Sequence, residues 1–171
     1  MKTATGRTVF RVVAVLLVLV LFSIPAPAQD KVSAKVQAAL FMKLLAFYTN
    51  LGRDPFTIHV VGAPEIAAEF KKLVGKTAGK AKLKKVTEGS GPPTGKAQIV
   101  YVGQDAKNLT QYCQANSVLS ITGLSKFVDD GVTLGIGVEN GKPKILLNLS
   151  STKAENINWN PQILKVASTI D

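Results

Sequence analysis

Three stretches of the chain share one pattern: a short, almost continuous apolar run, then a glycine, then a segment with helical spacing. The apolar runs occupy residues 58–61, 98–102 and 118–121. Strands without regular polar alternation are typical of parallel sheets whose two faces are both covered by helices. The pattern therefore predicts consecutive strand–helix–strand units in an α/β domain.

A long apolar segment precedes these units. Residues 32–50 predict the first helix, in which two neighbouring stripes of apolar side chains are interrupted only by Lys43. A face this broad is normally buried against a sheet or another helix. We therefore expect this helix to form part of the core.

After the third unit, two apolar runs flank the dipeptide Asn140-Gly141. This dipeptide suits the two positive-φ positions of a type I′ turn, so the segment predicts a β-hairpin with strands at 132–138 and 144–149. A hairpin is antiparallel within itself. The sheet should therefore be mixed, although most of its strands are parallel.

Residues 151–171 predict two helical pieces. Asn160 is a typical N-cap, and Pro161 suits the first position of the second piece. Trp159, just before the cap, is placed to pack on the first turns as a hydrophobic staple. The apolar side chains of this piece recur at helical spacing: Ile163, Leu164, Ala167 and Ile170. The spacing predicts that Leu164 is buried against the sheet.

Together these elements predict a single α/β domain over residues 29–171. Its mixed, mostly parallel sheet would carry helices on both faces and end in a C-terminal β-hairpin plus helix. A weaker strand at residues 81–87 contains lysines at positions 82, 84 and 85. This suits an edge strand, because charged side chains discourage edge-to-edge pairing of sheets.

The first 28 residues predict a signal peptide rather than part of the fold. Three cations precede an apolar run at 12–22, which is shorter than the roughly 20 residues that a membrane span needs. Ala26-Pro27-Ala28 then fits the cleavage pattern, so we expect cleavage after Ala28. An uncleaved anchor is the alternative. The short signal and the single cysteine favour export to a bacterial periplasm.

The chain is basic, with a formal net charge of +10 at pH 7. Much of this charge lies between Lys71 and Lys85, where no acidic residue interrupts the lysines. The cluster contains no interleaved aromatic residues for base stacking, so nucleic acid is not predicted as a partner. A solvated face is the simplest interpretation, and attraction to anionic headgroups or to an acidic partner is the functional alternative. The cluster consists of Lys71, Lys72, Lys76, Lys80, Lys82, Lys84 and Lys85.

Candidate chemistry is sparse along the chain. Gly75-Lys76-Thr77 matches the end of a phosphate-binding loop, but Phe70 stands where that motif requires glycine. His59 is the only histidine and Cys113 the only cysteine, and both are predicted to be buried structural residues. We therefore predict no catalytic, metal or cofactor site. An active site assembled from dispersed residues stays open as an alternative.

In order and spacing, the motifs of residues 36–170 resemble the YfiR-like family of exported α/β domains. The resemblance includes "VQAALFMKLLAFYTNL", "FTIHVVGAPE", "AQIVYVG" and "NSVLSITGLSKFVDDG". It is most specific at the hairpin strand that ends in Asn148, at Trp159 and at "PQILKVAS". Many members of that family carry a further cysteine at the start of the third-strand segment, where this chain has Gln98. The resemblance therefore implies the fold, but the single cysteine of this chain cannot form an internal disulfide.

The resemblance also implies a function. Its namesake restrains a membrane diguanylate cyclase, so it implies a periplasmic regulator that binds the periplasmic domain of an inner-membrane signalling protein and has no catalysis or cofactor of its own. The alternative is a periplasmic small-molecule-binding protein that uses the loops after strands 58–61, 98–102 and 118–121. The oligomeric state stays open, with a homodimer as one alternative.

Overall fold

The computed structural model describes residues 31–171. The predicted signal peptide at residues 1–28 and its cleavage site after Ala28 lie outside the described residues. Within the described range, no helix combines the length and the apolar character that a membrane crossing requires.

One eight-stranded sheet organises the described chain. Its strands are β1 Phe56–Val61, β2 Thr77–Ala78, β3 Ala81–Gly89, β4 Ile99–Val102, β5 Leu119–Thr122, β6 Leu134–Glu139, β7 Lys142–Asn148 and β8 Ala167–Ile170. Their order across the sheet is β2-β3-β1-β4-β5-β6-β7-β8. The central pairs β1–β3, β1–β4, β4–β5 and β5–β6 are parallel, and so is β7–β8, whereas β2–β3 and β6–β7 are antiparallel. The mixed, mostly parallel sheet is thus confirmed.

Residues 31–171 also form five α-helices and three 3₁₀ turns. The helices are α1 Ala34–Leu44, α2 Pro64–Lys72, α3 Ala106–Asn116, α4 Ser125–Asp129 and α5 Leu149–Ala154. The 3₁₀ turns are Leu45–Phe47, Thr49–Leu51 and Pro161–Lys165. The predicted first helix is therefore real but shorter, because its last residues tighten into two 3₁₀ turns.

Alternate side chains of β4 show how both faces of the sheet are covered. Tyr101 points to the face where Phe41 of α1 and Phe70 of α2 pack around it, with ring centroids 6.0 and 6.4 Å away. Val100 points to the opposite face and joins a second buried cluster that contains Leu109 of α3. A strand with both faces buried needs no polar residues. This explains the nearly continuous apolar runs in the sequence.

The predicted hairpin is confirmed. Asn140 and Gly141 have φ values of 52° and 72°, as a type I′ turn requires, and Glu139 pairs with Lys142 across the turn. The hairpin extends the sheet beyond β5 and ends at Asn148. The side chain of Asn148 accepts a hydrogen bond from the Ser151 backbone N–H at 2.8 Å and thereby caps α5.

The C-terminal segment differs from the prediction. Pro161–Lys165 forms only a 3₁₀ turn, although Asn160 caps it by accepting a hydrogen bond from the Gln162 N–H at 3.0 Å. The first predicted helical piece corresponds to α5, which follows the hairpin, whereas the second piece is replaced by the 3₁₀ turn and by β8, which pairs with β7. The predicted burial of Leu164 is wrong: its side chain is 54% exposed, whereas Ile163 is 1% exposed. A 3₁₀ turn does not place positions 163, 164 and 167 on one face as an α-helix would.

Trp159 precedes this turn and ties it to the end of the first helical segment. Its ring lies 5.6 Å from the ring of Tyr48, and the backbones of the two residues form an isolated β-bridge. The indole Nε1–H donates to the Thr152 hydroxyl at 3.4 Å. Trp159 therefore fixes the chain between α5 and the last turn.

Candidate functional site

The carboxyl ends of β1, β4 and β5 are where an open α/β sheet usually binds ligands. Here the Gln37 side chain from α1 fills the space between the loops. Its amide N–H donates to the Val32 carbonyl at 2.7 Å, and its Oε1 accepts from the Tyr101 hydroxyl at 3.0 Å. The Tyr101 oxygen in turn accepts from the Gly123 N–H at 3.0 Å.

Two glycines in these loops leave room for close neighbours. A Cβ at position 123 would lie 1.9 Å from the Gln37 Oε1, and one at position 103 would lie 2.6 Å from the Val61 carbonyl oxygen. The cleft that remains beside them has a volume of about 170 Å³. Ligand pockets usually measure roughly 300–1,000 Å³. The loops that the sequence singled out for a small molecule are therefore largely closed by the protein itself.

A larger groove lies at the opposite, amino ends of β1 and β4. It has a volume of about 850 Å³ and is open to solvent. Lys84, Lys96 and Asp54 supply charge along its walls, and Gln98 forms part of the wall while accepting the Thr57 N–H at 2.8 Å. Such a groove can bind an extended polar segment. The sequence did not indicate it, because its residues come from distant parts of the chain.

The lysine cluster lies at one edge of the sheet. β2 pairs with the first two residues of β3, and the backbones of Gly75 and Lys76 bond to Leu83, so β3 is an edge strand only beyond Leu83, in line with the prediction. Phe56 of β1 pairs with Leu83 and Thr57 pairs with Lys85, so Lys84 has no partner of its own in β1. This bulge interrupts the regular edge of β3.

Five of these lysines have no acidic partner. Among the described residues Lys71 pairs with Glu88 and Lys72 pairs with Glu69, while the other members of the cluster make no salt bridge. We call these other members the lysine edge: Lys76, Lys80, Lys82, Lys84 and Lys85, all of which are exposed. Lys84 belongs both to this edge and to the large groove. The two surfaces together can attract carboxylate or phosphate groups.

The remaining candidates from the sequence are structural. His59 is buried, and its ring nitrogens contact the Thr87 hydroxyl at 2.8 Å and the Gly91 carbonyl at 3.0 Å. Cys113 is also buried, and burial raises the pKa of its thiol above the ordinary value, which disfavours the reactive thiolate. Residues 70–72, where a phosphate-binding loop would begin, belong to α2. Over residues 31–171, no group of three His, Cys, Asp or Glu side chains is arranged to hold a metal ion.

The sequence did not single out Glu155, which is fully buried at the end of α5. One carboxylate oxygen accepts from the Ser120 N–H at 3.0 Å and from the Thr133 hydroxyl at 2.7 Å, and the other accepts from the Ser120 hydroxyl at 2.5 Å. Burial raises the pKa of Glu155 to about 7, and the hydrogen bonds from Ser120 and Thr133 only partly oppose this. No pattern in the sequence signals such a carboxyl group, because its partners lie on β5 and just before β6.

A comparison with protein-family models matches residues 34–168 to the model described as YfiR/HmsC-like. The chain belongs to the YfiR/HmsC-like family. The match covers nearly the whole described chain, from α1 into β8. The family resemblance inferred from the sequence motifs is thus confirmed.

Comparison with solved structures supports the same fold. A crystal structure of a conserved domain protein from Vibrio cholerae O1 biovar El Tor strain N16961 matches with a TM-score of 0.57 and 11% sequence identity. The alignment covers 82% of this YfiR/HmsC-like chain and 61% of the Vibrio chain, so the chain spans less than two thirds of that protein. At this identity the likeness concerns the fold alone. Among curated proteins, no relative matches the sequence.

Proposed function

We propose that the protein is a periplasmic regulator that binds the periplasmic domain of an inner-membrane signalling protein, such as a diguanylate cyclase, and holds it inactive. Membership of the YfiR/HmsC-like family is the observation that carries this proposal. The signal peptide predicted at residues 1–28 supports the compartment. In this proposal the protein is not an enzyme and needs no cofactor.

The lysine edge supports binding of such a regulator to a partner surface of opposite charge. Its five exposed lysines lie along one edge of the sheet and have no acidic partner among the described residues. Unpaired surface charge speeds association with a partner of opposite charge. The adjoining groove of about 850 Å³ offers room for a segment of the partner. We therefore assign the contact with an acidic surface of the membrane partner to the lysine edge and this groove.

Restraint places a thermodynamic requirement on the contact. A regulator shifts its partner toward the inactive state only if it binds that state more tightly than the active one, because equal affinity for both states shifts nothing. The acidic surface of the partner must therefore be more accessible, or better arranged, in the inactive state. Exchange of charge at the lysine edge should then change the output of the partner and not only the occupancy of the complex.

A genetic experiment tests the proposal. Deletion of the gene should raise the output of one membrane enzyme, read as cyclic di-GMP or as kinase activity, and residues 29–171 expressed behind a working signal peptide should restore it. The same residues expressed in the cytoplasm should not. Unchanged cyclic di-GMP and kinase output after deletion, or full rescue by the cytoplasmic form, would exclude the proposed function.

Charge reversal tests the surface. The triple variant Lys76→Glu, Lys80→Glu and Lys82→Glu should fail to restore restraint although it folds normally, because all three side chains are exposed. The control reverses three lysines that are also exposed and form no salt bridge among the described residues but lie away from the lysine edge: Lys107, Lys142 and Lys153. Both triple variants change the net charge equally. If both variants fail to restore restraint, only the overall charge matters. If both restore it, the charge of the lysine edge does not matter. Either result shows that the assigned surface is wrong.

The second candidate function is small-molecule binding, and the size of the large groove is the observation that favours it. The closed cleft around Gln37 does not favour it. A thermal-shift screen against nucleotides and small metabolites tests this candidate, because a ligand that binds only the folded state raises the melting temperature. Loss of such a shift in a Lys84→Ala, Lys96→Ala variant would place the ligand in the groove.

A further inference from the structure

The connection between β3 and β4 crosses the sheet without a helix. Both strands run parallel to β1 and lie on either side of it. Gly89 ends β3 beside Val61, and Gln98 leads into β4 beside Thr57, so the chain between them returns along β1. Parallel strands are usually joined by a longer crossover that contains an α-helix. Here an irregular segment, residues 90–96, takes that place, and we call it the strap.

Little holds the strap to the rest of the protein. It contains no large aliphatic or aromatic side chain, and all of its residues are exposed or half-buried. Among residues 31–171, no backbone hydrogen bond reaches it, and one side-chain hydrogen bond does. This bond joins the His59 Nε2 to the Gly91 carbonyl oxygen at 3.0 Å, and we call it the latch. Segments with so few contacts are released at low free energy.

His59 lies in the middle of β1 and points to the face of the sheet that the strap covers. Its neighbours Ile58 and Val60 belong to the core cluster that includes α1 and α2, whereas Val61 belongs to the cluster that includes α3. Alternation along the strand places His59 on the same face as Val61. A Cβ at position 89 would lie 3.0 Å from the His59 ring. The imidazole therefore fills the space between β1 and the start of the strap.

The two contacts of the ring determine which nitrogen carries the proton. A carbonyl oxygen can only accept, so the His59 Nε2 is protonated and donates to Gly91. In the neutral ring Nδ1 then accepts from the Thr87 hydroxyl at 2.8 Å. His59 is buried, so water cannot readily replace either bond. The ring is thus held in one orientation, with its Nε2–H directed at the strap.

The strap also forms one wall of the large groove. Residues 93–96 line this groove of about 850 Å³ together with Thr57 and Lys84. Release of the strap would change the width of the groove and would move Lys96, one of its charged side chains. The shape and charge of the groove therefore depend on the latch.

We propose that His59 is a positioning residue for partner binding, because its bond to Gly91 holds the strap where it completes the groove. This proposal rests on the proposed function, in which the groove receives a segment of the membrane partner. The apparent affinity for that segment then scales with the fraction of molecules whose strap is held. Since no other hydrogen bond reaches the strap within residues 31–171, loss of the latch should leave it released for most of the time.

Limited trypsin digestion of residues 29–171 measures the latch on the isolated protein. Cleavage after Lys96 requires release of the strap, because the next residue, Ala97, is buried. Cleavage after Lys43 requires unfolding of α1, where the next residue is also buried, and it is the internal reference. The ratio of the two initial rates follows the population of the released strap, provided that release and return are faster than cleavage.

Replacement of His59 should change this ratio in a graded way. His59→Leu should raise it at least about tenfold, because the strap loses its one hydrogen bond. His59→Gln should stay within about threefold of the parent chain, because its amide N–H can donate to the same carbonyl. Gly89→Ala keeps the histidine but displaces its ring, so it should also raise the ratio and decides the test if His59→Leu does not fold.

A global loss of stability is the control. Ile163→Ala removes a buried side chain far from the strap in sequence, so it should speed both cleavages alike or neither and leave the ratio unchanged. A ratio that His59→Leu and Gly89→Ala leave at the parent value overturns the latch. So does an equal rise in the ratio for Ile163→Ala.

Restraint of the membrane enzyme tests the role of the latch in binding. In the deletion strain, at equal periplasmic amounts, His59→Gln should restore restraint and His59→Leu should not. Full restoration by His59→Leu, together with a raised trypsin ratio, overturns the positioning role. A parent chain that restores nothing overturns the proposed function and the role of His59 in binding, whereas the trypsin ratio still decides whether the latch exists.

Discussion

Replacement of Glu155 by glutamine should remove a pH dependence from the stability of the fold. Burial raises the pKa of this carboxyl group from its ordinary value of 4.5 to about 7. Between these two pH values the unfolded chain loses the proton while the folded chain keeps it. The folded state then binds more protons, so the free energy of unfolding falls as the pH rises.

The pKa values and the hydrogen bonds set the size of this effect. A pKa difference of one unit corresponds to about 1.4 kcal/mol, so the window from pH 4.5 to about 7 contributes about 3 kcal/mol. This stabilisation is fully present below pH 4.5 and is lost by the time the pH exceeds 7. Glutamine keeps the shape of the neutral acid. Its carbonyl can accept from Ser120 N–H and Thr133, and its amide can donate to the Ser120 hydroxyl oxygen.

The assay is urea denaturation of the parent chain and of Glu155→Gln at pH 4.5 and at pH 7.5. At pH 4.5 the two proteins should differ by less than about 1 kcal/mol, because both side chains are neutral and make similar hydrogen bonds. At pH 7.5 the variant should be more stable than the parent chain by about 3 kcal/mol. Comparison at each pH cancels the titration of all other groups.

Glu65→Gln is the matched control, because Glu65 is exposed and the substitution removes the same charge. Between the two pH values, Glu155→Gln should gain about 3 kcal/mol more stability relative to the parent chain than this control does. If Glu155→Gln behaves like this control, the carboxyl group titrates near its ordinary pKa in the folded state. The hydrogen bonds from Ser120 and Thr133 would then outweigh burial, and the reasoning would be wrong.

Three further predictions concern packing and export. Ile163→Ala should lower the free energy of unfolding by about 2–5 kcal/mol and Leu164→Ala by less than about 0.5 kcal/mol, because only Ile163 is buried; equal effects in urea would contradict the assigned 3₁₀ turn. Gly123→Ala should cost about 1–3 kcal/mol, because its Cβ collides with Gln37, whereas Gly91→Ala meets open space and should be neutral by the same measurement. Intact-mass measurement of the periplasmic fraction should give a chain that begins at Gln29, and recovery of the full-length chain in the membrane would refute cleavage after Ala28.

The central sheet was predictable because its signals are local. The apolar runs that became β1, β4 and β5 are each followed by a glycine where a loop must approach another part of the chain closely, as at Gly103 and Gly123. Asn140-Gly141 determined the hairpin in the same local way. The lysines of β3 predicted an edge strand because charge in a strand has few other stable places.

The candidate sites were harder to predict, because their residues meet only in the folded chain. Gln37 lies in a largely apolar helix, and nothing near it in sequence indicates that its side chain bonds to Tyr101 of β4 beside the loop after β5. Glu155 stands among polar residues, and its three donors come from Ser120 and Thr133. Long-range hydrogen bonds of this kind leave no periodic signal, whereas burial of apolar faces does.

The C-terminal segment shows where a short pattern is ambiguous. Apolar residues at 163, 164, 167 and 170 fit a helix, but a run of four to eight residues with β-branched Val166, Thr169 and Ile170 fits a strand equally well. The strand is favoured over the helix because the edge of β7 away from β6 is free to pair once the hairpin has formed. A helix would have left that edge of β7 uncovered, and the strand that covers it transfers the open edge to β8.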